Sequence, residues 1–299
     1  MKMYANLHTH STHSDGKYTP EELVRIAHEE GYKALAVTDH DTVTANAEVA
    51  ALCREYGMEN IFGAEFSTPE RYHIVGLDFD PEYPEMKEYL RQMAVRETDQ
   101  TKVLFEKGLE RGSISGITWD EVLEYNRGIA WLCNEHVFRA MKAKGLVTDL
   151  DYNEFFDVNY GKLRRTVPPA YPFKSVDEII PLIKKAGGIA IVAHPNMEQL
   201  AKMDELIAAG IDGTEVFHPD LTAEEQAKAL ELAYRHGLFI AGGTDHSGLC
   251  GGMYDTFEHP EETPYWVEPQ ACGTSEQHFR ELQARSIEKR TPFVDYSSK

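Results

Sequence analysis

Short β-rich runs bounded by turn residues recur along this chain, and their spacing limits the possible fold more than any other feature. They are MYANLH (3–8), YKALAVT (32–38), NIFGAEFS (60–67), RYHIVGLDF (71–79), GIAIVA (188–193), GTEVF (213–217) and LFIAGGT (238–244), seven candidate strands. Between many of them stand helix-start signals. Thr19 to Glu22, Ser175 to Glu178 and Thr222 to Glu225 are capping boxes, in which a hydroxyl and a carboxylate three residues apart satisfy free backbone donors of a first turn. The first box also carries Pro20 at the first helical position. Strands alternating with helices predict an α/β fold with a parallel sheet. Seven closely spaced units favour a distorted seven-stranded TIM-like barrel over an open doubly wound sheet. A chain of 299 residues can bury one such core and still carry an insertion.

The rhythm breaks from about Pro84 to Pro169. Stretches 84–111, 119–126 and 134–144 are rich in Glu, Lys, Arg and Leu, read as helices, and leave no strong strand signal. The expected organisation is therefore a barrel from residues 1–83 and 169–299, with 84–168 as a helical insertion capping one end.

The residues at the strand ends share one chemistry. His8 and His10 close the first run and His40 follows the second. Glu65 and His73 lie in the third and fourth, His194 follows the fifth, His218 the sixth, and Asp245 and His246 the seventh. Parallel barrels collect their chemistry at the C-terminal strand ends. In HTH both imidazoles face one side of a strand, because side chains alternate. Each residue alone has an ordinary reading: the Asp and Thr of TDHD (38–41) as helix caps, Glu65 as a satisfied buried carboxylate, His73 as a hydrogen-bonded core histidine. Together they do not. So many ionisable groups at one barrel mouth are costly to bury without cations, whereas divalent metals neutralise the carboxylates and use the lone pairs.

Histidine and carboxylate without cysteine suit Mn, Fe or Zn. The four cysteines, Cys53, Cys133, Cys250 and Cys272, are far apart and form no C-x-x-C pair, which points to reduced packing residues. The donors are too many for one ion. Two or three divalent ions sharing Glu65 as a bridge would use them.

In the motifs HTHSTHSDG, VTDHDT, GAEFS, YHIVGLD, AHP, TEVFHP and GGTDHSG the chain resembles the polymerase and histidinol phosphatase (PHP) family of metal-dependent phosphoesterases. The resemblance implies a trinuclear site. His8, His10, Glu65 and Asp245 would surround one ion, and Glu65, His73 and His194 a second. Asp15, His40 and a histidine of the last motif, His246, would surround the third. It also implies a branch with a helical insertion whose members act on nucleotide phosphates or remove nucleotides from oligonucleotide ends; HVFRAMKAKGLV (136–147) and the stretch 168–195 match that branch.

Two departures stand out. The family's last motif reads D-x-H, but here His246 is adjacent to Asp245, and neighbouring side chains on an extended segment point to opposite faces. Where the branch carries Arg-Pro-His, this chain has Asn134-Glu135-His136, so a bidentate guanidinium contact to phosphate is lost. Arg139, Lys162, Arg164 and Arg165 are candidate substitutes beside Asn134 and His136 in binding substrate.

The expected reaction is hydrolysis of a phosphoester of a nucleotide or short oligonucleotide, of phosphatase or 5'-3' exonuclease type. A hydroxide bridging two ions would attack phosphorus. His218 or His136 would protonate the leaving oxygen. The rivals are a metal-dependent hydrolase of an amide or carboxylic ester, and a noncatalytic metal-binding module. The formal charge of −20 disfavours broad duplex nucleic-acid or anionic-membrane binding. Without a signal-like N-terminus or a long apolar run, a cytoplasmic location is expected.

Overall fold

A computed structural model of the chain describes residues 2–245 and 270–289. The strands are β1 (Ala5–Asn6), β2 (Ala34–Leu35), β3 (Glu59–Asn60), β4 (Gly63–Ser67), β5 (His73–Leu77), β6 (Ile189–Val192), β7 (Gly213–Glu215) and β8 (Phe239–Ala241). They form a three-stranded parallel sheet, β1-β2-β3, and a five-stranded sheet, β4-β5-β6-β7-β8. All seven sequence runs contain strand, with one corrected division: 60–67 is shared between β3, which pairs with β2, and β4, which pairs with β5.

The expectation of an all-parallel sheet is corrected too. β4 pairs antiparallel with β5, and β5 with β6, before parallel pairing resumes through β7 and β8. The reason is the length of one connection. Only residues 68–72 link β4 to β5, and a parallel crossover needs a dozen residues or more. Hydrogen bonds join the ends of the two sheets: Leu7 N–H to Gly242 O (3.3 Å) and Asp245 N–H to His8 O (2.9 Å) on one side, Asp41 N–H to Glu65 O (2.8 Å) on the other.

The capping boxes start helices where expected: α1 (Pro20–Glu30), α7 (Val176–Lys185) and α10 (Ala223–His236). In α1 the Thr19 hydroxyl accepts from Glu22 N–H, and Leu23, Val24 and Ala27 turn inward with helical spacing. The remaining helices outside the insertion are α2 (Asn46–Glu55), α8 (Met197–Ala201), α9 (Met203–Ala209) and α11 (Glu276–Lys289).

From Pro84 to Thr166 the chain is helical: α3 (Pro84–Arg111), α4 (Trp119–Tyr125), α5 (Asn134–Ala143) and α6 (Tyr152–Asn159), with 3-10 turns at Asp149–Asp151 and Gly161–Thr166. These elements share an apolar cluster that includes Leu104, Phe105, Ile114, Val122, Val137, Phe138, Phe155 and Tyr160. The long helix α3 belongs to two cores. Its first turns put Met86, Tyr89 and Met93 against Phe66, Ile74 and Ile179 of the sheet side, whereas Leu104 and Phe105 belong to the insertion. Among the described residues no helix is long and apolar enough to cross a membrane.

Candidate metal centre

Strand ends place the ionisable residues, and local backbone geometry aims them. His8 and His10 leave β1 on one face, and their Nε2 atoms lie 3.1 Å apart. Glycine makes room beside them: a Cβ on Gly243 would lie 2.4 Å from His8 N, and one on Gly16 would lie 1.9 Å from His10 O. His194, after β6, and Asp245, after β8, take positive φ of 30° and 52°, uncommon for residues with a Cβ. Such geometry clusters at functional sites.

Glu65, buried in the middle of β4, is the centre. Its Oε1 lies 3.3 Å from His8 Nε2, 3.1 Å from His73 Nδ1 and 3.3 Å from His194 Nε2. Its Oε2 lies 3.3 Å from His10 Nε2 and 3.0 Å from His40 Nδ1. Around this hub, Asp245 Oδ1 is 3.2 Å from His10 Nε2, and Asp15 reaches His10 Nδ1 at 3.4 Å and His40 Nε2 at 3.6 Å. The structure thus brings together His8, His10, Asp15, His40, Glu65, His73, His194 and Asp245. His246 lies outside the described residues, as does Cys250. Among the described residues Cys53, Cys133 and Cys272 are buried and form no disulfide.

The electrostatics follow from the crowding. Burial works against charge on His8, but Glu215, Glu65 and Asp245 outweigh it and hold the imidazole well above its ordinary pKa. Burial likewise opposes ionisation of Glu65, and His8, His73 and His40 outweigh it, so the carboxyl sits well below the usual range. These donors fit metal ions. Glu215 accepts from Nδ1 of His8 at 3.0 Å, so that once Nε2 gives up its proton to a bound cation its lone pair would face the cluster. His40 Nδ1, though 3.0 Å from Glu65, is buried without a well-formed hydrogen bond among the described residues. Sets of three donor atoms within 4.8 Å of one another recur: His8, His10 and Glu65; His8, His194 and Asp245; His10, Asp15 and His40; His40, Glu65 and His73.

His218 is fully buried beside this cluster. Its Nδ1 accepts from Asp220 N–H at 3.2 Å, so in the neutral ring the proton belongs on Nε2. That Nε2 has no hydrogen-bond partner among the described residues and lies 3.7 Å from Asp245 Oδ2.

The candidate substrate residues are placed differently. His136 is buried, with Nδ1 accepting from Cys133 N–H at 3.0 Å and Nε2 3.1 Å from Thr12 O; burial, then the Arg139 charge, hold it neutral. As folded, no ring nitrogen of His136 is open to a leaving oxygen. Arg139 bonds the carbonyls of the loop at Thr12, Ser14 and Gly16. Asn134 bonds Tyr152 Oη at 3.1 Å, and Arg164 pairs with buried Glu97 and with Gln100. Of the expected basic cluster, Lys162 and Arg165 are exposed.

Three residues escape the sequence reading. Glu215, at the end of β7, orients His8. Asp39, buried, accepts from Ser11 N–H at 2.7 Å and from Ser14 Oγ at 2.6 Å, pinning the loop that carries Asp15. Trp131 of the insertion stacks near His40, with ring centroids 6.4 Å apart. The available signal for Glu215 was a carboxylate inside an otherwise apolar strand run.

Histidines and carboxylates gathered from both sheets around one buried glutamate form clusters able to hold metal ions on an α/β fold, the donor set of a metal-dependent hydrolase. Residues 6–153 match the PHP domain. The chain is 32% identical over 86% of its length to the 5'-3' exoribonuclease Rnm of Escherichia coli, of which it covers 95%. It is 28% identical over 94% of its length to a 3',5'-nucleoside bisphosphate phosphatase of Chromobacterium violaceum, covering 97% of that protein. Among solved structures, a Bifidobacterium adolescentis protein assigned as a metal-dependent phosphoesterase superimposes with a TM-score of 0.74 at 26% identity, covering 99% of both chains. The chain belongs to the PHP-domain family.

Proposed function

We propose that this protein is a metal-dependent phosphoesterase acting on a phosphate ester of a nucleotide or short oligonucleotide. One observation carries the reading: the two oxygens of a single buried glutamate, Glu65, meet five imidazoles at 3.0–3.3 Å, with Asp15 and Asp245 flanking them. Relatives that act on a nucleoside bisphosphate and on RNA ends support the substrate class. In this reading the two sheets are arcs of one distorted barrel, supported by the hydrogen bonds that join β1 to β8 and β2 to β4. Residues 1–83 and 169–299 form it, and 84–168 form the cap.

Two or three divalent ions, of Mn, Fe or Zn, would be held by His8, His10, Glu65 and Asp245, by Glu65, His73 and His194, and by Asp15 and His40 with a histidine of the last motif. Such ions lower the pKa of water and polarise phosphoryl oxygens. The chain's own residues do the rest. Glu215 fixes the tautomer of His8. His218 holds a proton on Nε2, buried and facing the cluster, for the leaving oxygen.

The test is phosphate release by the Mn-supplied protein across 5'-nucleotides, 3',5'-bisphosphates, cyclic nucleotides, phosphatase-pretreated short oligonucleotides and sugar phosphates. Turnover of one class is expected, with Asp245→Asn slowed roughly 100-fold or more. Silence across the panel with metal bound would reject the reading in favour of amide or carboxylic ester hydrolysis, or of a binding module.

A further inference from the structure

The insertion grips the site's first loop through one helix. Arg139, on α5, sends Nη1 to Thr12 O at 3.0 Å and Nη2 to Ser14 O at 3.1 Å and Gly16 O at 2.7 Å. One turn earlier, His136 Nδ1 accepts from Cys133 N–H, so Nε2 carries the proton and donates it to the same Thr12 carbonyl at 3.1 Å. Both side chains are buried, at 8% and 0% exposure. Three carbonyls converging on one planar fork form a geometry that guanidinium matches and ammonium does not.

The gripped loop carries Asp15, 3.4 Å from His10 and 3.6 Å from His40. Asp39, in the loop after β2, holds Ser11 and Ser14. The turn packs backbone against backbone, since a Cβ at Gly16 would lie 1.9 Å from His10 O. Asp15 is thereby held between the sheet and the insertion.

We propose that α5 is a clamp on the metal loop: Arg139, supported by His136, is a positioning residue that holds Asp15 against the His10 and His40 pair, so the insertion completes one ion position. The proposal rests on the metal-site reading above. It gives Arg139 and His136 a role in the loop rather than on the substrate. Any movement of the insertion is then coupled to ion occupancy at Asp15.

The experiment counts ions. Full-length protein is loaded with Mn, freed of excess by gel filtration, and assayed by elemental analysis and by chelator competition. Asp15→Asn defines the loss for that position. Arg139→Lys, which keeps the charge without the fork, and Arg139→Ala are expected to lose the same ion or to bind it about tenfold or more weakly, with the tighter ions retained. Asp15→Asn combined with Arg139→Ala is expected to lose no more than Asp15→Asn alone. Arg139 variants that melt lower but keep the wild-type ion count and affinity would overturn the clamp. Wild-type protein that takes up no ions would instead reject the metal-site reading itself. Arg139→Lys carries the test should the alanine variant fail to fold.

Discussion

The Glu215 carboxylate places one oxygen 3.0 Å from Nδ1 of His8 and accepts the backbone N–H of His194 on the other at 2.7 Å. It therefore orients two candidate ligands that come from different sheets. Removing it frees the His8 ring to turn and to change tautomer, which weakens a ligand without deleting it. Glu215→Ala is expected to lower affinity for Mn roughly 10- to 100-fold, measured by chelator competition. Unchanged affinity would mean that His8 is oriented by packing alone. Glu215 was hard to read because a glutamate in a strand run normally faces solvent, and its inward direction depends on β7 lying between β6 and β8. Glu65 was legible only as one of a set. Its strand pattern is equally ordinary, and five histidines elsewhere in the chain give it meaning.

Helix α1 ends badly for an acid. Glu30 occupies its last position, where the backbone dipole favours cations, and its Oε1 is buried without a hydrogen-bond partner among the described residues. Burial pushes the carboxyl from its ordinary 4.5 up to about 7. A raised folded-state pKa means the native state binds the proton more tightly than the unfolded chain. That stability is fully present below about pH 4.5 and is lost as pH rises through about 7. Glu30→Gln is accordingly expected to stabilise the protein by about 1–2 kcal/mol at pH 8, discounted for partial solvent access, and to have little effect near pH 4.5. Urea unfolding of both proteins at the two pH values checks this; equal offsets at both would show that charge is not the cause. At the same scale the sequence was most legible in helices. Stretches 84–111, 119–126 and 134–144 correspond to α3, α4 and α5 within a residue at the ends, because capping and charge patterns are local. Strand direction was less so. Alternation suggested parallel pairing, and the five-residue link between β4 and β5 decided otherwise.

At the scale of the molecule, the candidate ligands come from β1, β2, β4, β5, β6 and β8 and the loops after them, so an ion bound there ties both sheets together. Ligand that binds only the folded state adds stability by mass action, about 2.7 kcal/mol at a hundredfold excess over Kd. Extraction with a chelator is expected to lower the melting temperature, and returning Mn to restore it, followed by scanning calorimetry. An identical transition before and after would mean the centre holds no ion. The formal charge of −20 adds a condition. A protein this acidic repels anionic substrates at long range, and local cations at the centre would have to reverse that field.

Residue types and their local spacing were enough to pick out the histidine-carboxylate constellation and many of the helices, and the motifs carried the resemblance to phosphoesterases, since caps, alternation and strand ends are set by neighbours in the chain. Only the tertiary structure decided the rest. That Glu65 is the hub, that Glu215 and Asp39 bond the candidate ligands or their loop, and that Arg139 and His136 turn toward the Thr12–Gly16 loop depend on contacts between residues up to about two hundred positions apart. The direction of a buried polar side chain follows from which partner satisfies it, and that partner is chosen by packing.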